Sequence, residues 1–186
     1  MTSRLLLSAA ALLLFAACNS TPVESYWGMR AAVPVIDEID ADVDGTEAAV
    51  SYDAIQGTLY LRRQTLDGLP LMNYEVNFAV SEFQDLEANE VGAGVRYYIA
   101  PSQHFRPFAG LAAKITMLEE TAGVDRGTHI GLLPAIGVEV PITDMFFFDL
   151  MVDYSVPLSA AESDDSPVQE TEFSGFAVWL GFGLDF

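Results

Sequence analysis

Apolar and polar residues alternate along most of this chain with a period of two. That is the pattern of a half-buried strand, because successive side chains of a strand point to opposite faces. The clearest stretch places Phe146, Phe148, Leu150, Val152, Tyr154 and Val156 on one face and Phe147, Asp149, Met151, Asp153 and Ser155 on the other. A helix would scatter the two acids around its circumference, whereas a strand puts both on one side. Tyr74 to Ser81, Val91 to Ile99, Phe105 to Met117, His129 to Glu139 and Phe176 to Phe186 read the same way. Ser25 to Val35 and Val50 to Arg62 are less regular, and Asp53 falls on the apolar face, which places it near a rim. Pro34, Pro107 and Pro134 suit strand ends or bulges rather than central ladder positions. The pattern predicts an all-β fold, an eight-stranded antiparallel up-and-down β-barrel over residues 25–186.

Two such barrels compete. In a soluble lipocalin-like carrier the apolar face lines a ligand cavity, and in a transmembrane barrel it meets lipid while the other face fills the lumen. The second face decides. It carries Arg30, Glu75, Arg96, Lys114, Glu139, Asp149 and Asp153 among many Gly and Ala, about one charge per strand. A water-facing sheet carries more Lys and Glu than that, and small residues suit a tight bore. The apolar face is almost free of charge, and Tyr74, Tyr97, Tyr154, Phe105 and Phe186 sit toward strand ends, as interfacial aromatic belts do. The transmembrane reading follows, and the direction of Phe148 and Phe182 tests it.

The connections between segments form two alternating sets, as up-and-down topology requires. Ile36–Glu47, Glu82–Glu90, Leu118–Arg126 and Pro157–Glu172 hold 18 of the 27 Asp and Glu residues. The others, Arg63–Asn73, Ala100–His104 and Pro141–Asp144, hold only Asp67 and Asp144 and lie beside Arg62, Arg63, His104 and Arg106. Long acidic loops belong outside and short turns in the periplasm, so both termini are expected in the periplasm. The net charge of −19, with 8 Lys and Arg in 186 residues, argues against a nucleic-acid partner.

The N-terminus is an address. Arg4, the apolar run Leu5–Phe15 and the small residues Ala16 and Ala17 describe a secretory signal over residues 1–17, too short to span a bilayer as a helix. Leu14-Phe15-Ala16-Ala17-Cys18 resembles a bacterial lipobox, with Phe15 where Leu is usual. That resemblance implies a lipid on Cys18 and a tether over residues 18–24.

The end Leu180-Gly181-Phe182-Gly183-Leu184-Asp185-Phe186 resembles the β-signal read by the barrel-assembly machinery, through Gly181, Leu184 and Phe186. Gly92-Ala93-Gly94-Val95-Arg96-Tyr97-Tyr98 followed by Arg106-Pro107-Phe108-Ala109-Gly110 resembles the strand–turn–strand of the OmpA/OmpX/OmpW-like outer-membrane barrel superfamily. The resemblance implies an outer-membrane barrel and implies no particular activity. Its expected surroundings are outer-membrane lipid and lipopolysaccharide.

Candidate chemistry is sparse. The seven inward charges are expected to pair as a lumen plug, with a gated ion path as the alternative. Asp40-x-Asp42-x-Asp44-Gly45 is similar to the start of an EF-hand loop, but Ser51 stands where a bidentate Glu is needed. It is therefore at most a weak calcium site. A lipid-modifying barrel enzyme needs a nucleophile beside a base. The two histidines are His104, in a short turn, and His129, with no adjacent Ser, so neither catalysis nor a cofactor is expected. The expected role is structural or surface interaction.

Overall fold

The computed structural model describes residues 23–43, 46–83, 86–118, 128–159 and 171–186. The strands are β1 (Val23–Val43), β2 (Thr46–Val50), β3 (Tyr52–Thr65), β4 (Pro70–Phe83), β5 (Leu86–Tyr98), β6 (Arg106–Leu118), β7 (Thr128–Pro141), β8 (Phe146–Ser159) and β9 (Thr171–Asp185). β2 and β3 share one position beside β1: β2 pairs with Ile39–Val43 and β3 with Val23–Ala32. Every later strand pairs antiparallel with the one before it, and β9 returns to β1 from Gly28↔Asp185 to Val43↔Thr171. The result is a closed barrel of eight strand positions. The Phe186 N–H donates to the Trp27 carbonyl at 2.9 Å, which completes the seam.

The sidedness is that of a membrane barrel. Phe148 and Phe182 are 50% and 42% exposed on the outer wall, while Phe147 and Asp149, on either side of Phe148, are buried in the bore. This is the reverse of what a soluble carrier needs. Small inward residues make room for rings. A Cβ added to Gly28 would run into the ring of Tyr60, and one on Gly183 into the ring of Phe147. An eight-stranded bore is just wide enough for side chains to fill, so each ring is accommodated by a glycine on a neighbouring strand.

The strands are longer than the apolar pattern implies. β1 runs through the expected loop Ile36–Glu47 as far as Val43, and β2 begins at Thr46. Residues 82–83, 86–90, 157–159 and 171–172, also expected in loops, are strand, and the expected turn Arg63–Asn73 shrinks to residues 66–69. The reason is physical. Ile39 is buried in the bore while Glu38 and Asp40 are exposed on the outside. An acid on the outer face of a strand stays hydrated once the strand leaves lipid, so charge marks the end of the apolar band and not the end of the strand. The first strand also starts earlier than the expected residue 25, at Val23. The expected signal segment, Cys18 and the rest of residues 1–22, together with residues 44–45, 84–85, 119–127 and 160–170, lie outside the described residues.

The barrel has two unlike ends. The tight-turn end carries the connections 66–69, 99–105 and 142–145 together with the start of β1 and the end of β9. In the first of these the Gly68 N–H donates to the Thr65 carbonyl at 2.9 Å, and Gly68 has φ +76°, a conformation open to glycine. The opposite, far end carries the ends of β1, β4, β6 and β8 and the starts of β2, β5, β7 and β9.

β1 is irregular toward the far end. Its register with β9 shifts between Pro34 and Ile36, leaving Val35 and Ile36 both exposed, as a bulge does. On its other side, pairing with β3 stops at Ala32↔Gln56 and resumes with β2 at Ile39↔Val50. Within that gap the Tyr52 N–H donates to Asp37 Oδ2 at 3.0 Å, so a side chain replaces a ladder bond. Pro134 is exposed where the β7–β8 ladder skips from Leu132↔Val156 to Ala135↔Asp153, and Pro107 is the second residue of β6. All three prolines therefore sit at bulges, ladder gaps or strand ends.

Candidate functional site: the filled bore

Inward positions of the alternating strands converge in three layers. The middle layer draws Arg30 from β1, Glu75 from β4, Arg96 from β5 and Asp149 from β8. Arg30 lies 3.2 Å from Glu75 Oε2 and 3.2 Å from Asp149 Oδ2. Arg96 reaches the same two acids at 2.8 and 2.9 Å. Each guanidinium thus touches both carboxylates, a ring of alternating charge that is neutral as a whole. Arg30 also donates to Thr58 Oγ1 at 3.2 Å, and the Arg96 guanidinium lies 4.0 Å from the centre of the Phe108 ring.

The lower layer lies toward the tight-turn end and is built around Arg62 of β3. Arg62 pairs with Glu139 of β7 at 2.7 Å and with Asp185 of β9 at 2.8 Å. Arg106 of β6 holds the other oxygen of Glu139 at 2.8 Å. The Tyr98 hydroxyl donates to Glu139 at 2.8 Å, the Tyr60 hydroxyl donates to Asp185 at 2.7 Å, and Asn73 donates to Tyr98 Oη at 2.9 Å. The rings of Tyr60, Tyr98 and Phe147 stand 5.2, 5.5 and 5.0 Å from the Arg62 guanidinium. Two arginines and two acids again balance. An isolated buried ion costs several kcal/mol, which only close pairing with satisfied hydrogen bonds repays.

The upper layer lies toward the far end and is less polar. Lys114 of β6 meets Glu90 of β5 at 3.2 Å, and the hydroxyls of Tyr52 and Ser81 donate to the same carboxylate, each at 3.2 Å. Asp153 is buried nearby, with Lys114 and Trp179 as neighbours. Ile39, Leu118 and Phe173 belong to the apolar cluster of this part of the bore, and the His129 ring packs edge-on against Phe173 at 5.6 Å.

All seven expected lumen charges are inside, but they form no single network. Arg30, Glu75, Arg96 and Asp149 meet, Glu139 belongs with Arg62 and Arg106, and Lys114 pairs with Glu90 instead of joining Glu75. The layers separate because alternate inward positions step along each strand by two residues. Sequence reasoning left Arg62, Arg106, Asp185 and Glu90 out of the network. Each carries the same parity as its inward neighbours (Arg62 follows Tyr60 by two residues and Glu90 precedes Gly92 by two), and that parity was the available signal.

Asp40 and Asp42 lie within β1, so the backbone there is extended rather than looped, and Asp44 is outside the described residues. His104 lies in the 99–105 turn and His129 near the start of β7, toward opposite ends of the barrel. Gly181 faces inward, where an added Cβ would crowd Ala32 and Arg30 at 3.3 Å, while Phe186 is 60% exposed at the seam.

No family model and no curated protein matches this sequence. Solved structures do. Neisserial surface protein A (NspA) is 17% identical with a TM-score of 0.58, the alignment covering 89% of this chain and 99% of that one. AlkL, determined by solid-state NMR in DMPC lipid bilayers, is 8% identical with a TM-score of 0.50, covering 91% and 94%. The N-terminal β-barrel domain of Pseudomonas aeruginosa OprF aligns at 13% identity and a TM-score of 0.49, covering 88% and 100%. The likeness to NspA shows that the chain has the closed eight-stranded antiparallel fold of outer-membrane barrels.

Proposed function

We propose that the protein is a lipid-anchored barrel of a bacterial outer membrane, with a bore that is a structural plug and a far end that is a contact surface outside the cell. The filled bore carries this reading: the middle and lower layers are each neutral, hydrogen-bonded and built from side chains of strands all around the barrel. Such layers rigidify a barrel and leave no charge for a passing ion to exchange with. Purified protein in planar bilayers is expected to show no steady conductance. A stable, ion-selective current would replace the plug with a gated path.

The tight-turn end belongs in the periplasm, on the side where a lipid on Cys18 would insert into the inner leaflet of the outer membrane. Mass spectrometry of the mature N-terminus tests this: a diacylated Cys18 is expected, and an unmodified residue elsewhere would remove the anchor. The C-terminal Gly181, Leu184 and Phe186 serve as the assembly signal on the strand that closes the barrel. The far end supplies the contact surface, because loops on a rigid scaffold most often carry recognition. Asp40, Asp42 and Asp44 at that end would meet lipopolysaccharide phosphates through bridging divalent cations, and catalysis is not part of the role.

A further inference from the structure

The gap between β1 and its β2–β3 partner opens a groove of about 440 Å³ in the outer wall near the far end. Val33, Pro34, Ile55 and Val80 form its apolar part, and Val33, Ile55 and Val80 face the outside. Asp53, Glu82 and Glu87 edge it. These three acids are direct cross-strand partners, Asp53↔Glu82 between β3 and β4 and Glu82↔Glu87 between β4 and β5. All three are exposed, and no ion pair among the described residues reaches them. Like charges directly opposite on a sheet destabilise it. The outward-facing cations among the described residues, Arg63 and His104, lie at the tight-turn end, too far away to relieve them.

The order along each strand matters. On β3 Asp53 lies one outward position beyond Ile55 toward the far end, and on β4 Glu82 lies one beyond Val80. The acids therefore sit at the upper margin of the lipid-facing band, with the apolar part of the groove below them at acyl-chain depth. A phosphate-headed lipid would bring a fourth negative charge to this margin.

We propose that the groove binds a membrane amphiphile whose head group is cationic, an amine-headed lipid, with its chain against Val33, Ile55 and Val80 and its ammonium among Asp53, Glu82 and Glu87. The proposal rests on the membrane reading and adds a lipid class to it. An ammonium carries three donors, as many as there are carboxylates here, and charge-assisted hydrogen bonds are the strong ones.

The test uses the refolded barrel in an uncharged detergent, titrated at neutral pH with dodecylamine, dodecanol and dodecyl phosphate and followed by NMR shifts of the groove amides. Saturable binding of dodecylamine is expected, with dodecanol about tenfold weaker. The triple variant Asp53→Asn, Glu82→Gln, Glu87→Gln should lose about tenfold in amine affinity, and Val33→Trp, which fills the groove, should abolish saturation. Equal binding of the alcohol or the phosphate, or an unchanged triple variant, would overturn the proposal. So would phosphate binding that appears only with Mg²⁺, which would replace the amine with a cation bridge. Heat-modifiable gel mobility verifies a folded barrel in every sample. A protein that stays dispersed after detergent removal would instead sink the membrane reading itself.

Discussion

Around Glu139, in the lower bore, one carboxylate receives two guanidinium groups at 2.7 and 2.8 Å and a tyrosine hydroxyl at 2.8 Å. Around Glu82, on the outer wall, one carboxylate stands between two more and has no cation among the described residues. The same chemical group obeys opposite rules in the two places because its solvent differs. In the bore water is excluded and an unpaired ion is costly, so arginine is spent on pairing. At the outer rim water hydrates each acid, pairing contributes little, and repulsion is tolerated at a modest cost. Of the arginines described, Arg30, Arg62, Arg96 and Arg106 are in bore ion pairs, which leaves Arg63 alone for the outer surface.

The contrast can be broken at its strongest point. Arg62→Ala strips Glu139 and Asp185 of a shared partner and is expected to cost about 3–5 kcal/mol, read from urea unfolding in liposomes. Replacing Arg62, Arg106, Glu139 and Asp185 together by Leu should cost less than the single change, because no stranded ion remains. If the single variant is harmless, the lower layer is hydrated and the contrast fails. Ile136→Arg asks whether the outer wall meets lipid. Ile136 is 66% exposed in the middle of β7, and an arginine at mid-bilayer should cost about 2–4 kcal/mol in the same assay. A neutral result would place that wall in water.

Smaller effects sharpen the comparison. Gly183→Val drives a side chain into the Phe147 ring and should cost about 1–3 kcal/mol through overpacking, seen as a lower thermal transition by tryptophan fluorescence. Asp53→Lys places a cation opposite Glu82 and should stabilise by about 0.2–1 kcal/mol, an increment that salt erodes. Unchanged melting in low salt would mean that the outer acids already have a partner.

Much of the fold was legible in the chain. Strict alternation from Phe146 to Val156 gave strand, sidedness and the inward direction of Asp149 in one step, because the pleat admits no other arrangement. The length of β1 was not legible. Ile36 to Val43 mixes acids with apolar residues, and the bulge at Val35 reverses the parity, so Ile39 points inward where simple alternation sends it outward. The membership of the bore was legible by parity for Arg62 and Glu90. Which acid meets which base was not, since that depends on how strands on opposite sides of the barrel are staggered. The row Asp53–Glu82–Glu87 needs cross-strand register, which hairpin connections set and alternation alone does not.

Asp185 is the last residue of β9, and it supplies one of the two acids that hold Arg62. The lower layer consequently stays incomplete until β9 docks, and a β9 slipped by two positions would present Gly183 to the waiting guanidinium. The barrel thus carries its own proofreading: an unmatched charge persists in the wall until the final strand docks in the one alignment that neutralises it.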